Sequence, residues 1–456
     1  MTISRLVEKS RPSRRSLLKS AALGSAAALT APYVRGAYAA GSLSLGVWDH
    51  WVPGANDTFT AVCNEWAAQN HVEVKIDYIT TQGDKDKLTA AAEAQAGTGH
   101  DVMSHRDWNI RIHQNELEPL DDINAELIKQ YGPISPVFEY LGRIKGTWRA
   151  VSATRGCQVK PTCSRISLYK QHAGIDVTEL FPADESKWDK AKTDTWTWDT
   201  YLDSAQKLYK AGFPVGLSMG QTSDAVDWVG ALFNSYGVVM VDAKDNIKIN
   251  SDETRAALEY LKKLMAVNPP EVYAWDDAGN NRWLISGKGS SIMNPPSAWA
   301  VAKRDNPSVA ADCWTHPMPK GPKGRFVGQL PFFYGLWNFS KNKSAAKELL
   351  LYLSQKPAVA KFVAASSGYD LPAFKTMYDI DTWKTVAPPV GTVYGYPPRA
   401  DEQTSIAGAP ARSEVGSQIY NQAINTVMVA KVTQGNEKID DVIKWAENEL
   451  EGTLRA

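Results

Sequence analysis

Leu43-Ser-Leu-Gly-Val-Trp48, Val72-Glu-Val-Lys-Ile-Asp-Tyr78 and Asp101-Val-Met103 are three short strand-like stretches, and what lies between them decides the fold. After the first, a polar start at Asn56-Asp57-Thr58 leads into Phe59, Val62, Cys63 and Trp66 at helical spacing. In the second, Val72, Val74, Ile76 and Tyr78 alternate with Glu73, Lys75 and Asp77, the pattern of a strand with one polar face. A further helix carries Leu88, Ala91, Ala92 and Gln95 along one side and ends at Gly97, just before the third. Strand, helix, strand, helix, strand is the order of a parallel α/β sheet.

Beyond this core the helices have clear ends and the strands are short. Thr197 is placed to cap a helix with Trp198, Tyr201, Leu202, Ala205 and Leu208 on its buried side, closed by Gly212. Ser251-Asp252-Glu253 starts another, with Leu258, Leu261, Leu264 and Met265 inward and Pro269-Pro270 stopping it. Helices are expected over 344–354 and 357–365, the second with proline in its first turn, and over 414–429 and 437–450. No internal repeat or low-complexity tract interrupts them.

The 456 residues balance 50 Lys plus Arg against 50 Asp plus Glu, but unevenly. The first 39 carry seven basic groups (Arg5, Lys9, Arg11, Arg14, Arg15, Lys19, Arg35) against Glu8, so they hold +6 and the remaining 417 residues hold −6. A mildly acidic body argues against nucleic-acid binding and attachment to an anionic membrane surface. With 43% hydrophobic and 22% charged residues the chain is globular, and its length suits two or three domains. Trp (16) outnumbers Phe (11), with 18 Tyr besides. Amphipathic rings in that excess suit a carbohydrate cleft, where sugar C–H faces stack, or else a Trp-rich core.

Ser13-Arg14-Arg15-Ser16-Leu17-Leu18-Lys19, the weakly apolar run from Ala21 to Pro32 and Ala37-Tyr38-Ala39 together look like a twin-arginine export signal over residues 1–39. No later window approaches 18 consecutive apolar residues, and no cysteine stands at the cleavage point, so an exported protein in the periplasm is expected. Four cysteines (Cys63, Cys157, Cys163, Cys313) would meet oxidising conditions there. Cys157 and Cys163 are the pair close in sequence, open to reading as a disulfide or a metal pair; Cys63 reads as a buried small apolar residue.

Several stretches in succession resemble the extracellular solute-binding proteins of ABC importers, in the carbohydrate-binding group that includes maltose-binding protein. They are Ala90-Ala-Ala-Glu-Ala-Gln-Ala-Gly-Thr-Gly-His-Asp101-Val, Leu117-Glu-Pro-Leu-Asp-Asp122, Thr197-Trp-Asp-Thr-Tyr-Leu, Gly287-Lys-Gly-Ser-Ser-Ile-Met-Asn-Pro-Pro-Ser-Ala-Trp299, Pro317-Met-Pro-Lys-Gly-Pro-Lys-Gly324 and Lys343-Ser-Ala-Ala-Lys-Glu-Leu-Leu350. Ser297 departs from the pattern, standing where relatives often carry glycine or an aromatic residue. The resemblance implies a two-lobed α/β periplasmic-binding fold with discontinuous lobes: 40–152 plus 290–326, and 153–289 plus 327–456. Crossovers are expected near Val151 to Arg155, Gly287 to Ser291 and Arg325 to Gly328. The implied function is capture of a carbohydrate or related polyol by hinge closure and delivery to a membrane permease, by a monomer without cofactor or catalysis.

Candidate ligand residues follow from topology. An open parallel sheet presents its crevice beyond the carboxyl ends of its strands, which selects Trp48, Asp49, His50 and Trp51 after the first strand. The loop after the third strand adds Asp107, where the family often uses an acid to hold two hydroxyls, and Trp108. His100, His105 and His113 lie close by, but their spacings fit no common zinc motif, so no metal site is expected. From the rest of the chain come Trp228, Trp299, Phe333, Tyr334 and Tyr369, each also readable as core, and Arg399, suited to bidentate hydrogen bonding.

Two other functions compete. An exported enzyme is one, yet the sequence has no phosphate loop, Cys-x-x-Cys, Gly-x-Ser-x-Gly elbow or His-Glu-x-x-His. A glycoside hydrolase stays open, since a pair of spaced carboxylates leaves no sequence mark. The other is the same fold binding a sugar acid or a polyamine.

Overall fold

The computed structural model describes residues 41–385, 398–399 and 401–455. The expected export signal and the stretch from Tyr394 to Pro397 lie outside them. The elements that build the site are, in chain order, β1 (Ser42–Trp48), α1 (Ala55–Asn70), β2 (Glu73–Ile79), α2 (Lys85–Ala96), β3 (Val102–Arg106), β4 (Val151–Val159) and β5 (Thr162–Arg165). They continue with α3 (Ser223–Tyr236), α4 (Gly279–Ile285), β6 (Ser291–Met293), β7 (Cys313–His316), β8 (Gly324–Leu336), α5 (Lys343–Leu353), α6 (Lys356–Ala365), β9 (Glu402–Ser405) and α7 (Ser413–Asn421).

The mixed α/β fold has two lobes. In the first, β1 lies between β2 and β3, parallel to both, as the alternating and apolar runs require. Leu43, Leu45 and Val47 of β1 are buried under α1, whose Phe59, Val62, Cys63 and Trp66 form the inward stripe. β8 joins antiparallel to β3 through Phe332↔Arg106 to Leu336↔Val102, with β4 on its other side through Tyr334↔Val151 to Gln329↔Val159. In the second lobe β5 pairs antiparallel with β6 and β7. The start of β8 pairs with β9 and packs against α3.

Helix ends follow the sequence closely. The Thr197 hydroxyl accepts from the Thr200 N–H to cap Trp198–Lys210, and that of Ser251 accepts from the Thr254 N–H to cap Asp252–Met265. The helix expected over 414–429 is two helices, α7 and Ile424–Thr433, because Ala423 adopts left-handed backbone (φ 52°) between them.

Strand pairing groups the segments differently from the expected allotment. β6 and β7, in the stretch 290–326, pair with β5 in the second sheet, while the end of β8, α5 and α6, all beyond 327, belong with the first sheet and α1. The chain leaves the first sheet around Lys160, past the stretch Val151 to Arg155, which is buried within β4. Gly287 to Ser291 leads into β6 and makes no crossing. β8 crosses where its register slips between Leu330 and Phe332, just beyond Arg325 to Gly328. A strand that changes sheets is one unbroken apolar run, so its sequence carries no mark of the crossing point.

Candidate functional site

Between the lobes lies a narrow inner chamber beside a wider outer groove, the two sharing Trp51, Thr81, Arg106, Ser223 and Asp277 in their walls. Trp48, Trp51, Thr81, Arg106, Phe332 and Tyr369 come from the first lobe, at the carboxyl ends of β1, β2 and β3, on β8 and, for Tyr369, just after α6. Ser223 and Asp224 at the start of α3, Asp277 and Asn281 around α4, and Asn294 and Ser297 after β6 face them from the second. Gln158 and Leu330 sit on the crossing strands.

The apolar wall is a ring cluster centred on Trp48, which stacks on Tyr369 (centroids 6.2 Å apart), meets Phe332 at 5.2 Å and takes the edge of Trp51 at 6.3 Å. Gly156 makes this possible: its φ is +90°, and a Cβ there would stand 2.9 Å from both the Trp48 and Phe332 rings. The Tyr369 hydroxyl donates to Gln158 Oε1 at 2.6 Å, tying the wall to a crossing strand. Trp48 itself is 2% exposed, yet its indole N–H has no acceptor.

The polar wall is braced from behind. Arg106 is held by Asp86 (2.7 Å) and Asp84 (2.5 Å); burial works against its charge, but Asp86 and Asp107 outweigh it and raise its pKa. Across the chamber, Lys160 Nζ lies 2.5 Å from Asp224 and 3.0 Å from Asp227. Burial lifts Asp227 to about 6 against the pull of that ammonium. The Ser297 hydroxyl accepts from the side-chain amides of Asn281 and Asn294, each at 3.2 Å, and Asn294 also donates to Asn281. Donors and acceptors therefore face flat rings across a small space, the arrangement that holds a polyhydroxylated molecule.

Of the candidate residues, Trp48, Trp51 and Tyr369 line the chamber. His50 stands behind Trp48: its Nδ1 accepts from the Val52 N–H and its Nε2 donates to Asp370, and burial lowers its pKa so that it stays neutral. Asp49 is exposed and accepts from Asn56. Asp107 does not line the chamber: it is fully buried and paired with Lys87 at 3.1 Å, and its neighbour Arg106 is the one on the chamber wall. Trp108 is core, its N–H given to the Ala407 carbonyl and its ring against Gly416.

Trp228 donates to the Ser218 carbonyl inside the second lobe, and Trp299 is buried beside Lys303. Phe333 packs on Phe138 and Tyr334 on Phe59, because the register slip in β8 turns Phe332 to the chamber. Arg399 lies 3.9 Å from Glu185, away from the chamber walls. Cys157 and Cys163 are buried and not bridged to each other, and Cys63 and Cys313 are buried as well. Cys157 is on β4 of the first sheet and Cys163 on β5 of the second, so the crossing divides them. Among the described residues no group of three His, Cys, Asp or Glu is placed to hold a metal ion.

Residues 61–388 match the sequence profile of the bacterial extracellular solute-binding proteins. The chain belongs to that family. Solved structures agree on the fold. Maltose-bound MalE3 of T. maritima superposes with a TM-score of 0.71 at 19% identity, over 90% of this chain and 99% of that one. A solute-binding protein of Agrobacterium vitis with bound D-mannitol gives 0.66 at 18%, over 91% and 99%. A sugar transporter protein of Arthrobacter chlorophenolicus with bound laminaribiose gives 0.68 at 15%, over 90% and 99%. No curated protein matches the chain. Membership in the solute-binding family implies export, and among the described residues no helix is long and apolar enough to cross a membrane.

Proposed function

We propose that this solute-binding protein captures a carbohydrate or related polyol in the inner chamber and delivers it to the permease of an ABC importer, as a periplasmic monomer exported by a twin-arginine signal. The observation that carries this reading is the composition of the seam: stacked rings from one lobe face amide, hydroxyl and carboxylate groups from the other. We take the lobes as 41–159 with 329–385, and 160–328 with 401–455, a division that the strand pairing supports. A solute touching both walls binds the closed form more tightly than the open form and shifts the population by that difference. Burial of its hydroxyls demands a partner for each, which the Asn281–Asn294–Ser297 cluster and the Trp48 N–H supply. No covalent step is required of any residue.

The test is intrinsic tryptophan fluorescence of the mature protein against sugars, polyols, sugar acids and polyamines. Saturable quenching or enhancement by a sugar or polyol, without product formation, is expected, and Trp48→Ala removes it while the melting transition persists. A full response in Trp48→Ala, or turnover of any glycan, contradicts the reading.

A further inference from the structure

The charge around the chamber is unbalanced. On and directly behind its walls stand Arg106, Lys87 and Lys160, against Asp84, Asp86, Asp107, Asp224, Asp227 and Asp277. The nearby Asp276 is matched by Arg282 at 2.7 Å, and beneath Trp48 the Arg155 charge is opposed by Asp370. Three cations thus answer six carboxylates. Arg106 and Lys160 are each shared among acids and Lys87 is taken by Asp107, so none is left to receive an anionic solute.

Of these six, Asp277 is the one on the chamber lining with no salt bridge, although the charges of Arg106 and Lys160 act on it. It lines both the inner chamber and the outer groove, and no cation among the described residues lies within ion-pair distance. Its hydrogen bonds, from Ser223 Oγ at 3.4 Å and the Asp224 N–H at 3.5 Å, are at the limit of usefulness. Trp48, Trp51, Tyr369 and Phe332 line the same chamber, and an aromatic π cloud attracts a cation. The orphan indole N–H of Trp48, 2% exposed, asks in addition for an acceptor oxygen, which a bare polyamine lacks.

We propose that the chamber selects a solute carrying both hydroxyls and a protonated amine, an amino-bearing sugar or polyol, with Asp277 as the residue that sets this preference. This rests on the sugar-capture reading above. An ammonium placed between Asp277 and the ring wall relieves the negative excess; a neutral hydroxyl in its place leaves it standing.

Matched pairs of hexosamine and parent hexose, with N-acetylhexosamines and spermidine, are titrated at pH 7 by calorimetry. At least one hexosamine is expected to bind 10-fold or more tightly than both its hexose and its N-acetyl twin, and Asp277→Asn is expected to bring that ratio below about 2, whatever each affinity becomes. Asp252→Asn, a fully exposed carboxylate on a distant helix, leaves the ratio as it was and excludes a general charge effect. Equal or tighter binding of the neutral twins overturns the inference and leaves the sugar reading standing. Binding of spermidine alone overturns the sugar reading and the inference with it. Failure of every amine-bearing probe, or an unchanged ratio in Asp277→Asn, overturns the inference.

Discussion

His316 shows how much a single buried ring controls. Its Nδ1 donates to the Pro317 carbonyl (3.2 Å), its Nε2 accepts from Ser164 (2.9 Å), and it lies flat on Phe181. Burial lowers its pKa to about 3. The unfolded chain protonates this histidine near 6.5 and the folded one does not, so its contribution is intact above 6.5 and is lost as pH falls toward 3. Urea unfolding between pH 6.5 and 4 should therefore show a slope shallower by about 1.4 kcal/mol per pH unit in His316→Gln than in the parent chain. An unchanged slope means the ring is already charged in the fold. At the same scale, Trp48 and Trp51 were legible because strand ends point to the crevice. Asp107 and Trp108 follow the same rule and break it, since left-handed backbone at Asp107 (φ 50°) accompanies its burial against Lys87 and leaves Arg106 as the group on the chamber wall. No pattern of residue types announces that exchange.

Strands β4 and β8 set the site as elements. They run antiparallel across the seam, and Gly156 is where β4 allows the rings on β1 and β8 to meet. Gly156→Ala adds both a positive-φ penalty and a close contact with Trp48 and Phe332, and should lower stability by about 1–3 kcal/mol. It should also weaken ligand binding at least 10-fold, read by calorimetry beside thermal unfolding; unaltered affinity would show that the ring cluster is not the platform. The parallel order of β1, β2 and β3 and the capped helices were readable from periodicity and end signals. The long strand β8 was not: Phe332 and Phe333 are interchangeable as a pattern, and a register slip beside Pro331 decides which one faces the chamber.

For the molecule as a whole, the proposed capture should couple binding to shape and to stability. A solute held only by the folded state at 100 times its Kd adds about 2.7 kcal/mol, seen as a raised melting temperature, and closure should reduce the radius of gyration in solution scattering. Stabilisation without contraction would indicate a rigid receptor. The two crossings among the described residues pair with each other at Gln329↔Val159, so a bend in one is expected to carry the other. Paired tethers of this kind confine motion to a single angular coordinate. Two dyes, one on each rim, would then report occupancy through one distance, which makes the protein a ready scaffold for a ratiometric biosensor.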